Sequence, residues 1–485
     1  MSGLQNYIKH FEGLWLVKDQ NELHFDSAKS RCVLTGKDYK SNTIKLPLSD
    51  NLFSTHVLFL GNIGTGKTNA ISQIISQIKG SLTSDDLMII FDTKGDYYNE
   101  FYKAGDIIIS NDTSKFNGVN DYWNIFPEVM IDNTPQSITE NALEIASILF
   151  NEKIIKSNNP FFPQAARDVL SIFLDLSANN NKEDLLNNKV LIETLEGFSK
   201  KDLQNFFTGS NRVSSYISDS SGGQADGVIS EFYQLLGEIF VGDFRRKGNL
   251  SMRELVRKKG GKTIFLEYDI SVGNVITPIY RLLFDLAIKE ALSSIKREKP
   301  KGNVWFFIDE FSLLPNLKYI DNGINFGRSQ GAKFIIGVQN IPQVYQIYGE
   351  NLGQSFLSGL RTVFSFHIDD FKSREFIQGR YGFAQKQLSY ADPFGKSIMN
   401  ISPMKVIEDW DISNLKMGTA IVGLPDGNPF IFQFEKFQKL KTFANLGIRI
   451  TLVLPIVGLD IGAISSGNSV VLRFGARRIK PSFSS

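Results

Sequence analysis

A glycine-rich stretch, residues 61–68, has the residue types and the spacing of a phosphate-binding loop. It fits the pattern G-x-x-x-x-G-K-[ST] with Gly61, Asn62, Ile63, Gly64, Thr65, Gly66, Lys67 and Thr68. Glycines let the backbone curl around phosphate, while the loop amides and the N-terminus of the next helix direct positive partial charge at it. In this pattern Lys67 bridges the β- and γ-phosphates and the Thr68 hydroxyl faces Mg²⁺. The stretch predicts that the chain binds a nucleoside triphosphate.

A second motif is an apolar run, residues 304–308, that ends in Asp309 and Glu310. The run has the pattern of a Walker B strand, and a buried parallel strand would place both carboxylates at the edge where open α/β sheets bind ligands. We expect Asp309 to hold the Mg²⁺ shell and Glu310 to orient and polarise the attacking water. Together the two motifs predict an ATPase with ATP and Mg²⁺ as cofactors.

Two further polar residues are candidates for the same chemistry. Gln339 follows the apolar run 334–338, and because adjacent parallel strands end in one crevice, it can reach the γ-phosphate or the attacking water. Arg328 precedes that run, where a subunit boundary could place it against a neighbour's phosphate as an arginine finger. From spacing alone, it is an equally good interpretation that Gln339 is a simple strand cap and that Arg328 is a surface cation. Arg361 and Arg374 are the next finger candidates.

Another apolar strand ends in a polar turn with the residues Asp92, Thr93, Lys94, Gly95 and Asp96. This turn could shape the nucleotide pocket or form a loop that faces the central channel of a ring. An ordinary strand-exit turn is at least as good an interpretation.

The elements that position these motifs follow from the alternation of apolar runs with helix-length segments. Strand signals recur before residue 110 and after residue 262, whereas helical patterns replace them in between. We therefore predict an α/β fold, a P-loop NTPase (RecA-like) parallel sheet flanked by helices, with an inserted all-α domain. The predicted divisions are a β-rich N-terminal lead-in at 1–50, the nucleotide-binding domain at 51–127 and 250–440, the insertion at 128–249, and a C-terminal tail of unclear structure at 441–485.

Composition fits a large soluble ATPase. The chain has 485 residues, of which 42% are hydrophobic, enough for two or more domains with their own cores. Its one cysteine, Cys32, excludes an intramolecular disulfide and suits a reducing cytoplasm. The best candidate for a membrane span, residues 450–466, contains Pro455 and Asp460 and falls short of the roughly twenty residues that a bilayer requires. We expect no transmembrane helix.

A DNA surface has to be local, because the net charge of +2 is close to neutral. Basic residues cluster at 245–247, 253–262, 296–301 and 477–480, and such clusters can neutralise phosphates, although most charge runs are solvated faces. The 39 Phe and 15 Tyr include candidates for stacking on single strands, although most must belong to the core.

With these motifs the chain resembles the coupling ATPases of conjugation and type IV secretion, of TraD/TraG type, within the FtsK/HerA-like hexameric DNA translocases. The resemblance covers most of residues 50–437, and its most specific part is the block 327–349. Its other parts are the two motifs above, the turn at 92–96, and the segments 106–109, 123–126 and 160–167. It implies an insertion that faces the cytoplasm, a homo-hexamer that assembles by itself or only on DNA, and ATP-driven handling of single- or double-stranded DNA. It also implies that Arg328 is a trans-acting finger and Gln339 a phosphate sensor.

The family's partners would be relaxase or relaxosome proteins and components of the type IV secretion channel. Many family members begin with membrane-spanning helices, which this sequence lacks, so we expect a cytoplasmic protein or one that is peripheral at the inner face of the membrane. The tail after residue 440 matches no pattern of the family.

Three functions remain open: a DNA-translocating coupling ATPase, an ATP-gated platform that recruits relaxase or effector proteins without moving DNA, and a HerA-like motor of DNA processing or phage defence. The block 327–349 favours the first over the third.

Overall fold

The structure is a computed structural model. It describes residues 7–19, 23, 30–117, 119, 121–180, 183–218, 223–293, 302–391, 397–438, 459–466 and 469–476. The chain divides into two compact units, Met1–Phe437 and Gln438–Ser485. The described part of the second unit is one antiparallel hairpin.

The strands, in chain order, are β1 Tyr7–Glu12, β2 Ser30–Lys37, β3 Thr43–Ser49, β4 Val57–Leu60, β5 Leu87–Asp92, β6 Ile107–Ile109, β7 Lys262–Glu267, β8 Val304–Ile308, β9 Ala332–Val338, β10 Thr362–Ser365, β11 Phe383–Ala391, β12 Ser397–Lys405, β13 Thr419–Gly423, β14 Phe430–Phe434, β15 Leu459–Ser466 and β16 Ser469–Ala476.

The α-helices are α1 Asp50–Phe53, α2 Lys67–Gly80, α3 Asp96–Phe101, α4 Ile125–Val129, α5 Pro135–Lys156, α6 Phe161–Asn180, α7 Asn188–Gly197, α8 Lys200–Phe206, α9 Asn211–Ile217, α10 Gly223–Ile239, α11 Met252–Lys258, α12 Gly273–Leu292, α13 Ile320–Phe326, α14 Ile341–Tyr348, α15 Glu350–Gly359, α16 Phe371–Tyr381 and α17 Asp409–Ser413.

An eleven-stranded sheet organises the first unit, in the order β3-β2-β14-β13-β10-β4-β9-β8-β5-β7-β6. The seven strands from β10 to β6 are mutually parallel, which confirms the predicted fold class. The other four strands continue the sheet in antiparallel pairs, so the sheet is mixed rather than wholly parallel. The short link between β13 and β14 explains this, because a parallel crossover needs a dozen or more residues.

The parallel strands are buried on both faces. Alternate residues of β4 enter different apolar clusters: Leu58 and Leu60 belong to the cluster that contains the apolar residues of α12, and Val57 and Phe59 belong to the one that contains those of α2. Burial on both faces accounts for the nearly continuous apolar runs from which the strands were predicted. Because β4, β9 and β8 pair in parallel, all three strands end at one edge of the sheet.

Between residues 128 and 249 the described residues form helices and no strand, as the sequence pattern predicts. The predicted boundaries of this insertion remain a proposal. The N-terminal strands β2 and β3 extend the main sheet, and β1 pairs with β11 in a separate three-stranded sheet. The described strands of the first 50 residues, β1 to β3, belong to the same compact unit as the nucleotide-binding strands, and the predicted N-terminal lead-in remains a proposal.

No helix in the described part of the chain is both long and apolar enough to cross a membrane. Of the candidate span at 450–466, residues 450–458 lie outside the described residues and the remainder is β15.

Candidate active site

The glycine-rich loop lies between the ends of β4, β9 and β10. The backbone N–H of Gly61 donates to the carbonyl of Val338 at 3.2 Å, and that of Asn62 donates to the carbonyl of His367 at 3.0 Å. A side chain at Gly61 would lie 2.7 Å from Cβ of Phe366, so this position requires a glycine. The loop is therefore bound to neighbouring strands through its backbone.

Lys67 begins α2 and is buried against its own loop. Its Nζ donates to the carbonyls of Gly61 at 2.5 Å and Asn62 at 3.0 Å. Burial lowers the pKa of Lys67, and the nearby carboxylates of Asp309 and Glu310 oppose that shift. The arrangement places a cation beneath the loop, where a phosphate group would be recognised.

Thr68, in the first turn of α2, and Asp309, directly after β8, bring two oxygen ligands together. The Thr68 hydroxyl donates to Oδ2 of Asp309 at 2.7 Å. A hydroxyl and a carboxylate are the oxygen donors that Mg²⁺ takes from a protein when nucleotide phosphates and water complete its shell. The two residues therefore fit the predicted magnesium site.

Glu310 is bonded at both carboxylate oxygens. Gln339 donates from Nε2 to Oε2 at 2.5 Å, and Ser312 donates from Oγ to Oε1 at 2.5 Å. Gln339 reaches Glu310 because β9 is the direct neighbour of β8 in the sheet. This geometry fixes the direction in which the carboxylate can accept a proton from water.

These groups open into one cavity of about 450 Å³. Its lining consists of Ile63, Gly64, Gly66, Lys67, Thr68, Asn69, Thr93, Lys94, Ile270, Asp309, Glu310, Ser312, Leu313 and Gln339. Two predicted loop residues that do not line the cavity, Thr65 and Asn62, form hydrogen bonds that stabilise the loop. The Thr65 hydroxyl donates to the carbonyl of Asn62 at 2.7 Å, and the side-chain amide of Asn62 donates to Asp369. Among the residues that line the cavity, Thr93 and Lys94 come from the polar turn at 92–96.

Arg328 lies apart from this cavity. It is exposed in the 3₁₀ turn Gly327–Gln330 before β9, whereas Gln339 follows the end of β9. Seven residues of strand separate the two ends by roughly 20 Å. Arg328 instead lies near His56, whose pKa falls to about 4 mainly through burial, with smaller contributions from the charges of Arg328 and Lys333. A phosphate that Arg328 stabilises would therefore have to be bound by another subunit.

The alternative finger Arg374 is bound within its own chain. Its Nε donates to Asp409 at 2.7 Å, and its Nη1 donates to the carbonyls of Ile368 and Asp369. Arg361 is exposed beside the start of β10.

The basic run 253–262 is divided between buried and exposed side chains: Lys258 and Lys262 are exposed, whereas other members of the run form buried or half-buried ion pairs. Arg253 is buried and pairs with Glu290 at 3.1 Å, and Arg257 pairs with the same carboxylate at 2.5 Å. The cluster 245–247, by contrast, is exposed at all three of its basic residues. The candidate runs at 296–301 and 477–480 lie outside the described residues.

Two site residues carry no sequence signal of their own. Ser312 follows Glu310 by two residues in a 3₁₀ turn, and Tyr97 donates from its hydroxyl to Oδ2 of Asp309 at 2.9 Å. Neither residue belongs to a motif, since their contacts depend on the direction of the turn after β8 and of α3.

Solved structures and curated proteins resemble the chain over most of its length. The unbound bacterial conjugative coupling protein TrwBdeltaN70 superposes with a TM-score of 0.70 at 19% identity, over 90% of this chain and 96% of that chain. The plasmid coupling protein TrwB in complex with ADP and Mg²⁺ superposes with a TM-score of 0.68 at 17% identity, over 90% and 97%. At this identity the likeness establishes the fold.

In sequence, the chain is 21% identical over 435 residues to the coupling protein TraD of Escherichia coli (strain K12), which covers 85% of this chain and 57% of TraD. The chain thus spans a little over half the length of this relative. A sequence model of the type IV secretion-system coupling protein DNA-binding domain matches residues 40–432. The match extends through both nucleotide motifs, the helical insertion and the strands that follow it. The chain therefore belongs to the type IV secretion-system coupling protein family.

Proposed function

We propose that this chain is a coupling ATPase that binds ATP with Mg²⁺, hydrolyses it, and uses the energy to deliver DNA or a nucleoprotein substrate to a conjugative type IV secretion machine. The observation that carries the proposal is the pair of contacts at the ends of β4, β8 and β9, Thr68 to Asp309 and Gln339 to Glu310. They support the proposal because all four side chains line a single cavity, where they could bind a metal and activate water.

In the proposed reaction each side chain has a separate task. Lys67 and the loop amides would bind the β- and γ-phosphates, and Thr68 and Asp309 would hold Mg²⁺, which would supply positive charge to neutralise the phosphates. Glu310 orients the attacking water and accepts its proton. Gln339 donates to Glu310 from the end of β9, and we propose that this contact between two strand ends responds to loss of the γ-phosphate.

DNA binding is supported by the family's domain and by one exposed basic cluster. Arg245 and Lys247 are exposed on the helical insertion, where Arg245 also forms an exposed ion pair with Glu196 at 2.6 Å. Relaxase proteins and secretion-channel components are the partners we propose, and a homo-hexamer is the proposed assembly, since Arg328 lies far from its own nucleotide cavity.

Two substitutions test the nucleotide chemistry. Lys67→Ala removes the cation that bridges the phosphates, so we expect weak binding of a fluorescent ATP analogue and no phosphate release.

Glu310→Gln keeps the shape of the side chain but loses the proton acceptor, so we expect normal binding with turnover lowered on the order of 100-fold. The control is Glu350→Gln, which changes an exposed carboxylate of α15. Wild-type turnover in either site variant contradicts the proposal.

A further inference from the structure

Tyr97 is a buried residue of α3 that touches the proposed metal ligand. The residue is 4% exposed, and its hydroxyl donates to Oδ2 of Asp309 at 2.9 Å. We propose that Tyr97 is a positioning residue for the magnesium carboxylate: it fixes the orientation in which Asp309 meets the metal. The inference rests on the proposed function, in which Asp309 holds Mg²⁺.

The polar turn after β5 directs Tyr97 to this position. Asp92 accepts hydrogen bonds from the backbone N–H groups of Tyr98, at 2.7 Å, and Lys94, at 3.3 Å. Gly95 has a φ of 72°, a left-handed conformation that glycine adopts readily, and α3 begins at the next residue. These contacts thus fix the first turn of α3, which carries Tyr97. They give the polar turn a function that its sequence alone left open.

Apolar packing keeps the ring of Tyr97 in place. The ring stacks on Phe101 at 6.4 Å between centroids, and Phe101 in turn packs against Phe437 at 5.6 Å. Burial, together with the charge of Asp309, raises the pKa of Tyr97 well above its ordinary value, so the hydroxyl is protonated and can donate to the carboxylate. Tyr97 therefore offers Asp309 a buried hydroxyl donor whose ring is held by packing.

Asp309 consequently receives two hydroxyl donors on one oxygen. Thr68 donates to Oδ2 at 2.7 Å from the loop side, and Tyr97 donates to the same atom from α3. When a metal ligand is itself hydrogen-bonded by a fixed outer group, loss of that group typically weakens metal binding about 10- to 100-fold. Thr68 is predicted to turn to the metal, which would leave Tyr97 as the donor that keeps Asp309 in place.

The test compares Tyr97→Phe with the matched control Tyr98→Phe. Each variant removes one hydroxyl from α3, and the ring of Tyr98 packs against Phe116 and Phe265 rather than the site. We would titrate Mg²⁺ into each protein with a fluorescent ADP analogue and measure the Mg²⁺ concentration at half-maximal binding. For Tyr97→Phe we expect this concentration to rise about 10-fold, with ADP affinity in EDTA unchanged. Tyr98→Phe should match the wild type.

A double-mutant cycle with Asp309→Asn provides the second measurement. If Tyr97 acts through Asp309, adding Tyr97→Phe to Asp309→Asn should change the Mg²⁺ dependence no further. The proposal is overturned if Tyr97→Phe leaves the Mg²⁺ dependence at the wild-type value, or if it weakens ADP binding equally in Mg²⁺ and in EDTA. In those cases the wild type still binds Mg²⁺ and ADP, and the proposed function stands. A wild type without Mg²⁺-dependent nucleotide binding would overturn both.

Discussion

At the scale of single residues, the chemistry depends on how firmly Glu310 is oriented. Gln339 and Ser312 each donate to a different oxygen of its carboxylate, so rotation of the group breaks at least one bond. Because proton abstraction from water needs a defined direction, the two donors belong to the proposed hydrolytic site as much as the carboxylate does.

Replacing Gln339 by Ala tests this orientation. We expect ATP turnover to fall on the order of 100-fold, because a small misplacement of a reacting group has an effect of that size, while nucleotide affinity stays near the wild-type value. Steady-state phosphate release and fluorescent-nucleotide binding measure the two quantities separately. Gln346→Ala, an exposed change in α14, is the control. Unchanged turnover, or affinity lost in parallel with turnover, would refute the assigned role.

Whether a residue of the site could be predicted from the sequence depended on whether a local pattern or a strand rule determines its position. Lys67 and Thr68 could be predicted because the phosphate loop is a local pattern, and Gln339 because adjacent parallel strands end together. Ser312 and Tyr97 could not be predicted, since no spacing rule gives the direction of a 3₁₀ turn or of a six-residue helix.

At the scale of elements, one buried carboxylate joins the two ends of the helical insertion. Glu128 of α4 accepts from the indole N–H of Trp123 at 2.9 Å and from the Ser251 hydroxyl at 2.8 Å. It also accepts from the backbone N–H groups of Met252, at 2.5 Å, and Arg253, at 3.1 Å, at the start of α11. The entering and returning chains are therefore bound together at the nucleotide-binding sheet.

Replacing Glu128 by Gln should destabilise the protein strongly. The amide has one acceptor oxygen and turns an NH₂ group toward buried donors, and each buried donor left unpaired costs about 1–3 kcal/mol. We expect the free energy of unfolding, measured in urea, to fall by about 3 kcal/mol. The control Glu254→Gln alters an exposed ion pair with Lys258 in α11 and should change this free energy by less than about 0.5 kcal/mol. Equal effects of the two substitutions would show that Glu128 does not join these segments.

Elements were predictable where they repeat a local pattern. Apolar runs and helical periodicity predicted the parallel strands and the long helices of the insertion. The antiparallel pairing of β14 with β2 was not predicted, because it joins segments almost 400 residues apart. The burial of Arg253 was missed for a similar reason: its partner Glu290 lies 37 residues further along the chain.

At the scale of the whole molecule, the proposed role of Arg328 requires a second subunit. An arginine that is exposed about 20 Å from its own site can stabilise phosphate charge only across an interface between subunits. Such an interface is heterologous, which is the kind that closes into a ring.

Mixing two inactive variants tests that requirement. Arg328→Ala subunits keep a sound pocket and Lys67→Ala subunits keep a sound finger, so mixed rings contain some complete interfaces. We expect no turnover from either variant alone, since a finger contributes on the order of 10³ to 10⁵ in rate, and partial turnover from the mixture. If co-assembled variants stay inactive together, or if Arg328→Ala alone is fully active, Arg328 is a surface cation.

The most direct test of the account is ATP turnover measured with and without single- and double-stranded DNA over a range of salt concentrations. The account predicts that DNA raises turnover, that Lys67→Ala abolishes turnover under every condition, and that salt weakens the stimulation with a slope of roughly 0.9 per duplex phosphate neutralised. Replacing Arg245 and Lys247 by Ala should weaken DNA binding while basal turnover persists. Turnover that is the same with and without DNA at low salt would contradict DNA coupling and favour a platform that recruits proteins.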